Sequence, residues 1–320
     1  MSQDLYKFHI IGAVGPATPT VEDLWYHWSV IHTSLMLGTE APAKNFAWYS
    51  QNYVNPDLPN EARLINKHPD VNYRTLAEHR IAGWQEFVEL MAHPSHSQRM
   101  GRHLFGDPKT AKFFLGRGGT VYRHKDFLHP ARMTISHWLA PKEGRSWNQT
   151  VESLRQHKTL VAAKLEEYNV LAKYTLDTSS EEFMAQLEDS PYKNFPRKEY
   201  CAIEWFHFTS VEDGLAFTEK YSDVLRASYA ESVCTKTSHS VYGVERVVID
   251  YTDDNPPTKT PLPVFFTDKN SLEYKMMNND WSIPSQAFKM LDGTKWSSFT
   301  SNTDREVEVG ALALDTKKDW

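Results

Sequence analysis

The chain has 320 residues, 40% hydrophobic and 24% charged, with a formal net charge of −6, a balance typical of globular domains and without a basic footprint for nucleic acid. Two cysteines, Cys201 and Cys234, exclude a disulfide framework or a cysteine-based zinc cluster. No apolar run reaches the length of about 18 residues that a membrane span needs, and Met1-Ser2-Gln3-Asp4 carries no secretory signal, so the expected location is the cytosol.

Leu5 to Gly12 is apolar and β-prone, a first strand, and Gly15-Pro16 turns the chain after it. Val21 to Leu37 reads as a helix, Phe46 to Tyr53 as a second strand and Thr75 to Ala82 as a third. A second helix opens near Gly83-Trp84-Gln85-Glu86, and a fourth strand runs from Thr110 to Leu115, extendable to Tyr122. Gly116-Arg117-Gly118-Gly119 stands at a strand end with no helix following, so it reads as a turn or bulge and not as a phosphate cradle.

The plan then begins again. Arg132 to Leu139 alternates as a strand, Pro141 to Gly144 turns, and Gln149 to Glu167 is helical. Val170 to Leu176 and Tyr200 to Thr209 are strands, Ser210 caps a helix with acids in its first turn, and Ser240 to Asp250 is the last strand. Short matches tie the two halves together. Ala47-Trp48-Tyr49-Ser50 parallels Ala172-Lys173-Tyr174-Thr175, and His32 stands as far from His157 as Ala47 does from Ala172.

Each half therefore reads β-α-β-β-α-β, the ferredoxin-like arrangement. Such a sheet is covered by helices on one face only, and two of them bury their bare faces on each other. The expectation is an α+β chain in which two ferredoxin-like repeats, 1–127 and 128–252, form one barrel within a single molecule. The barrel is expected to enclose an apolar pocket large enough for a small ligand. Residues 253–320 have no counterpart. Asn255-Pro256-Pro257 starts an extended connector, and Trp281, Phe288 and Trp296 suggest an extension packing on the barrel. Having both sheets in one chain predicts a monomer, or a dimer through outer surfaces.

Trp28-x-x-x-His32-x-x-Leu35 followed by Gly83-Trp84-Gln85-Glu86-Phe87-Val88 resembles the corresponding helix and helix entry of EthD-type proteins, members of the dimeric α+β-barrel superfamily. Leu90-Met91-Ala92-His93-Pro94-Ser95-His96 is similar to the His-Pro-x-His helix ending of stress-responsive A/B-barrel proteins and the related polyketide cyclases. The resemblance implies that His96 is a general acid/base. Where that cyclase has a tyrosine six residues before the histidine, this chain has Leu90. The plainer role of His93 and His96 is to cap a helix end.

His32 and His157, at matching places, suggest a shared structural bond; alternatively one or both polarise a substrate carbonyl or phenol. Tyr49 and Tyr174 carry the same two readings, with a phenol as donor. His79 faces away from Glu78 and Arg80 by strand alternation, while Trp205 and His207 share a face. The candidate catalytic residues are thus His96, His32, His79 and Tyr49. Trp28, Trp84, His93, His157, Tyr174, Trp205 and His207 are candidate substrate contacts. The spacing of the 14 histidines shows no metal-ligand motif, and no cofactor is expected.

The function these features favour is a cofactor-independent lyase or cyclase of secondary metabolism. It would cyclise, dehydrate or decarboxylate a small apolar oxygenated or aromatic metabolite through histidine acid/base chemistry. A haem- or oxygen-dependent monooxygenase-like protein and a non-catalytic small-molecule binder are the alternatives.

Overall fold

The computed structural model describes residues 6–33, 36, 45–54, 63–81, 83–92, 106, 107, 109–185 and 199–250. Eight strands are β1 (Tyr6–Gly12), β2 (Phe46–Val54), β3 (Thr75–Ile81), β4 (Lys112–Arg123), β5 (Met133–Leu139), β6 (Ala172–Thr178), β7 (Ala202–Phe208) and β8 (His239–Asp250). They close into a barrel in the order β1-β3-β2-β8-β5-β7-β6-β4. Read from β4, this is the 4-1-3-2 order of a ferredoxin-like sheet followed by the same order in the second half. The fold is therefore α+β, with two ferredoxin-like repeats completing one barrel in one chain. β4 pairs antiparallel with β6, so the last strand of the first repeat closes on the second.

The chain forms two compact units. The first joins Met1–Ile11, Ser50–Arg80 and Lys112–Val247, and holds most of the barrel. Among its described residues the helices are α3 (Trp147–Tyr168), the short α4 (Glu181–Ala185) and α5 (Val211–Ser232). Ser146 starts α3 with a full capping box to Gln149, and Asn169 ends it in the left-handed region at φ 54°. Thr150, Leu154, His157, Val161 and Leu165 form the buried stripe of α3, the spacing of one helical face. Phe217, Tyr221, Leu225 and Tyr229 do the same on α5. These stripes cover one face of the sheet, where Met133, Ile135, Tyr174, Phe206 and Phe208 complete a single core. Each such large apolar side chain contributes about 1.5–3 kcal/mol on burial. Gly214 permits the close fit of α5, since a Cβ there would stand 2.5 Å from the Met133 sulfur.

The second unit joins Gly12–Tyr49, Ile81–Ala111 and Val248–Trp320. Among its described residues are α1 (Val21–Tyr26), a π-helical segment (His27–His32) and α2 (Trp84–Ala92). Thr20 caps α1 by accepting from the Asp23 amide. The sequence suggested one α-helix from Val21 to Leu37; instead the chain widens into a π-helical segment at His27–His32, and the Thr33 hydroxyl donates to the Trp28 carbonyl.

The glycine cluster of β4 is a correction to the turn reading. Gly116 and Gly118 lie inside the strand, opposite Lys7 and Asp177 respectively. A Cβ on Gly118 would come within 2.2 Å of the Leu176 carbonyl and 2.5 Å of the Asp177 carboxylate. The glycines are there so that two strands and an aspartate can approach. A register shift does occur in β4, between Thr120 and Tyr122. The expected extension beyond residue 252 lies outside the described residues.

Candidate functional site

Strand alternation sends neighbouring residues of β7 to opposite faces, and two buried polar assemblies result. Glu204, beneath α3 and α5, is the centre of the first. Its Oε1 accepts from the Tyr174 hydroxyl at 2.6 Å and from His157 Nε2 at 3.0 Å. Its Oε2 accepts from His137 Nδ1 at 2.9 Å and from the Tyr229 hydroxyl in a very short bond. Burial alone would raise the carboxyl, but His157 and His137 outweigh it and hold Glu204 far below the usual carboxylate range. Tyr174 and Tyr229 are pushed well above the usual phenol range by burial and by the Glu204 charge, so both remain donors.

With Nε2 committed to Glu204, His157 turns Nδ1 to the Ser228 hydroxyl at 2.8 Å. Ser228 and His157 line a cleft of ≈ 680 Å³ between α3 and α5, with Arg145, Arg155, Leu160 and Val224 among its walls. The chain Ser228–His157–Glu204 therefore runs from a half-buried, cleft-lining residue to a buried carboxylate. With Nε2 turned to Glu204, Nδ1 is the ring atom that meets Ser228, so the imidazole joins the cleft to the carboxylate through its two nitrogens.

The second assembly lies on the inner face of the barrel. Lys7 contacts Asp177 at 2.6 Å and Glu78 at 3.9 Å, His9 Nε2 is 3.2 Å from Asp177, and Arg80 binds Glu78 at 2.9 and 3.2 Å. Glu245 accepts from His129 Nδ1 at 2.6 Å and from the Ala131 amide at 2.8 Å, with His207 at 3.5 Å. Lys173 Nζ stands 3.3 Å from His129 Nε2. Burial raises Glu78 and Asp177, but Arg80 and Lys7 for the one, and Lys7 and His9 for the other, bring both below their ordinary values. Burial lowers His207 to about 3 and raises Glu245. This inner face is ionic where the sequence suggested an apolar pocket, because Lys7, Glu78, Lys173 and Asp177 fall on it by alternation and neutralise one another.

The sequence-derived candidates distribute unevenly. His157 and Tyr174 meet on Glu204. Trp205 and His207 stack on the inner face, ring centroids 5.5 Å apart. His79 lies opposite Glu78 and Arg80 as expected, stacked on Phe8 at 4.0 Å, with Nδ1 3.3 Å from the Phe8 carbonyl. Four of the described candidates belong to the second unit: Trp28 and Tyr49 are buried, His32 ends the π-helical segment half-buried, and Trp84 stacks on Phe87 at 5.2 Å. His93 and His96 lie outside the described residues. Glu204, His137, Ser228 and Tyr229 were missed. The signal for Glu204 is a lone acid inside the apolar run Ala202-Ile203-Glu204-Trp205-Phe206; for His157 it is a histidine in the apolar stripe of a helix. Among the described residues no group of three or more His, Cys, Asp or Glu is arranged to hold a metal ion, and no helix is long and apolar enough to cross a membrane.

The paired 4-1-3-2 sheets define the dimeric α+β barrel class of fold. No family model matches the chain, and no curated protein matches it. Among solved structures it is similar to an inferred monooxygenase from Fusobacterium nucleatum, with 8% identity and a TM-score of 0.46 over 77% of this chain and 94% of that one. An anthrone oxidase-like protein gives 9% identity and a TM-score of 0.44 over 78% and 97%. A chlorite dismutase mutant from Candidatus Nitrospira defluvii gives 11% identity and 0.41 over 76% and 92%.

Proposed function

We propose that the protein is a cofactor-independent acid/base enzyme of the lyase or cyclase type, acting in the cleft between α3 and α5. The observation that carries this reading is His157, held between the cleft-lining Ser228 hydroxyl and the buried Glu204 carboxylate at 2.8 and 3.0 Å. Glu204 orients the imidazole and stabilises the imidazolium that forms when Nδ1 accepts a proton. Ser228 passes that proton from the substrate and returns it in the second half of the reaction. Leu160 and Val224 line the cleft and would offer apolar contact; Arg145 and Arg155 line it too, bound also to the Glu231 carbonyl and the Glu152 carboxylate, and would meet the oxygenated end of a small metabolite.

Acyl transfer by Ser228 is the less favoured chemistry. Ser228 lies within α5, where backbone amides are committed to the helix, so they are not available as the paired donors of an oxyanion hole. Elimination or cyclisation of an enolisable substrate needs only proton movement, and decarboxylation needs in addition that the substrate carry its own electron sink, such as a β-carbonyl.

The test is hydrogen–deuterium exchange at activated carbons of a panel of β-dicarbonyl and phenolic compounds, followed by NMR in D2O. His157→Gln is expected to slow exchange by roughly a hundredfold or more, and Ser228→Ala to a lesser extent. Equal rates in wild type and His157→Gln, or no exchange above buffer across the panel, would refute the assignment.

A further inference from the structure

Apart from the cleft, the inner face of β5, β7 and β6 carries an arrangement of its own. Ser136 lies directly opposite Trp205, and Trp205 directly opposite Thr175. The three residues are essentially sealed from solvent, at 1%, 0% and 1% exposure. Ser136 Oγ, Trp205 Nε1 and Thr175 Oγ1 nevertheless meet no hydrogen-bond partner in the protein. Buried polar atoms are almost always satisfied. Three orphans in one cross-strand row, on adjacent strands roughly 5 Å apart, point to a common guest. An indole N–H can only donate, and both hydroxyls can donate as well, so the guest presents acceptors.

The charged side chains around the row are of both signs, Glu78, Asp177 and Glu245 facing Lys7, Arg80 and Lys173, so it is the donors of the row itself that select a guest with acceptors. Lys7 and Arg80 are matched by Asp177 and Glu78. The next inner row of the same strands places Lys173 opposite His207. His9 approaches the Trp205 ring at 5.6 Å. Burial above all, with Arg80 and Lys7 on one side and Glu78 and Glu245 pulling the other way, brings the Lys173 amine down to about 7.

We propose that the row Ser136–Trp205–Thr175 binds a small oxyanion of carboxylate size inside the barrel. The two hydroxyls and the indole N–H hold its oxygens, and Lys173 supplies the nearby balancing charge. The groups that set the protonation of Lys173 are His129, His207, Glu245, Glu78, Arg80 and Lys7. A bound anion stabilises the ammonium form, so binding near pH 7.5 takes up a proton.

Titration calorimetry of the full chain with formate, in two buffers of different ionisation enthalpy at pH 7.5, tests this. Saturable binding with net proton uptake is expected. The Ser136→Ala, Thr175→Val double variant should bind formate at least tenfold more weakly, while melting in formate-free buffer no lower than wild type because it removes unpaired polar atoms. Lys173→Met should lose the proton uptake. Absence of saturable binding, equal binding by the double variant, or binding with no proton uptake by wild type would overturn the proposal, and the row would then hold water alone.

Discussion

Replacing Glu204 with glutamine keeps the size of the side chain and removes its charge. The carboxylate accepts from Tyr174, His157, His137 and Tyr229, two donors on each oxygen. An amide keeps one acceptor oxygen and presents N–H groups to the other pair. Two bonds to a charged acceptor are then lost, each worth about 1.5–3 kcal/mol. Removing one member of a buried charged network typically costs 3–5 kcal/mol, so Glu204→Gln should destabilise the fold by about 3–5 kcal/mol, a fall of roughly 10 °C in Tm. The pH dependence separates this mechanism from a packing defect. Glu204 is held below its unfolded value, so its contribution is full above the unfolded carboxyl pKa of about 4.3 and is lost as pH falls toward the folded value. Urea unfolding followed by circular dichroism should show a gap between wild type and Glu204→Gln that is wide at pH 7 and narrows below roughly pH 4. A gap under about 0.5 kcal/mol at pH 7, or one that does not change with pH, would refute the reasoning.

Two further substitutions probe the scaffold. Gly118→Ala places a Cβ against the Leu176 carbonyl at 2.2 Å, and the forced separation of β4 from β6 should cost about 1–3 kcal/mol by chemical denaturation. Ser146→Ala removes the reciprocal cap of α3 and should cost about 1 kcal/mol, visible as a lower denaturation midpoint with an unchanged slope.

The strands were legible because alternation and turn residues are local signals. The placing of His79 opposite Glu78 and Arg80 followed from period two alone. The internal repeat made the barrel legible, since one ferredoxin-like plan found twice implies its own partner. The two buried polar assemblies were harder to read because their bonds are not local. Lys7 and Asp177 are 170 residues apart, and His129 and Glu245 are 116 apart, joined only by the registers that β1, β4, β6 and β8 adopt. His157 was visible as a repeated position, but its partner was not. Corresponding places in β3 and β7 hold Ala77 and Glu204, so the copy containing His32 has no carboxylate there, and similarity between the halves hid the difference that matters.

The closed strand order has a consequence for how the molecule behaves in a crowded solution. A sheet with a bare flank can recruit further chains by strand addition, and a ring of eight strands exposes no such flank. Between β4 and β6 that closure depends on missing side chains: Gly116 and Gly118 admit the Thr178 and Leu176 carbonyls where a Cβ would stand, so the residues that let the ring shut are also the ones that keep its flank covered.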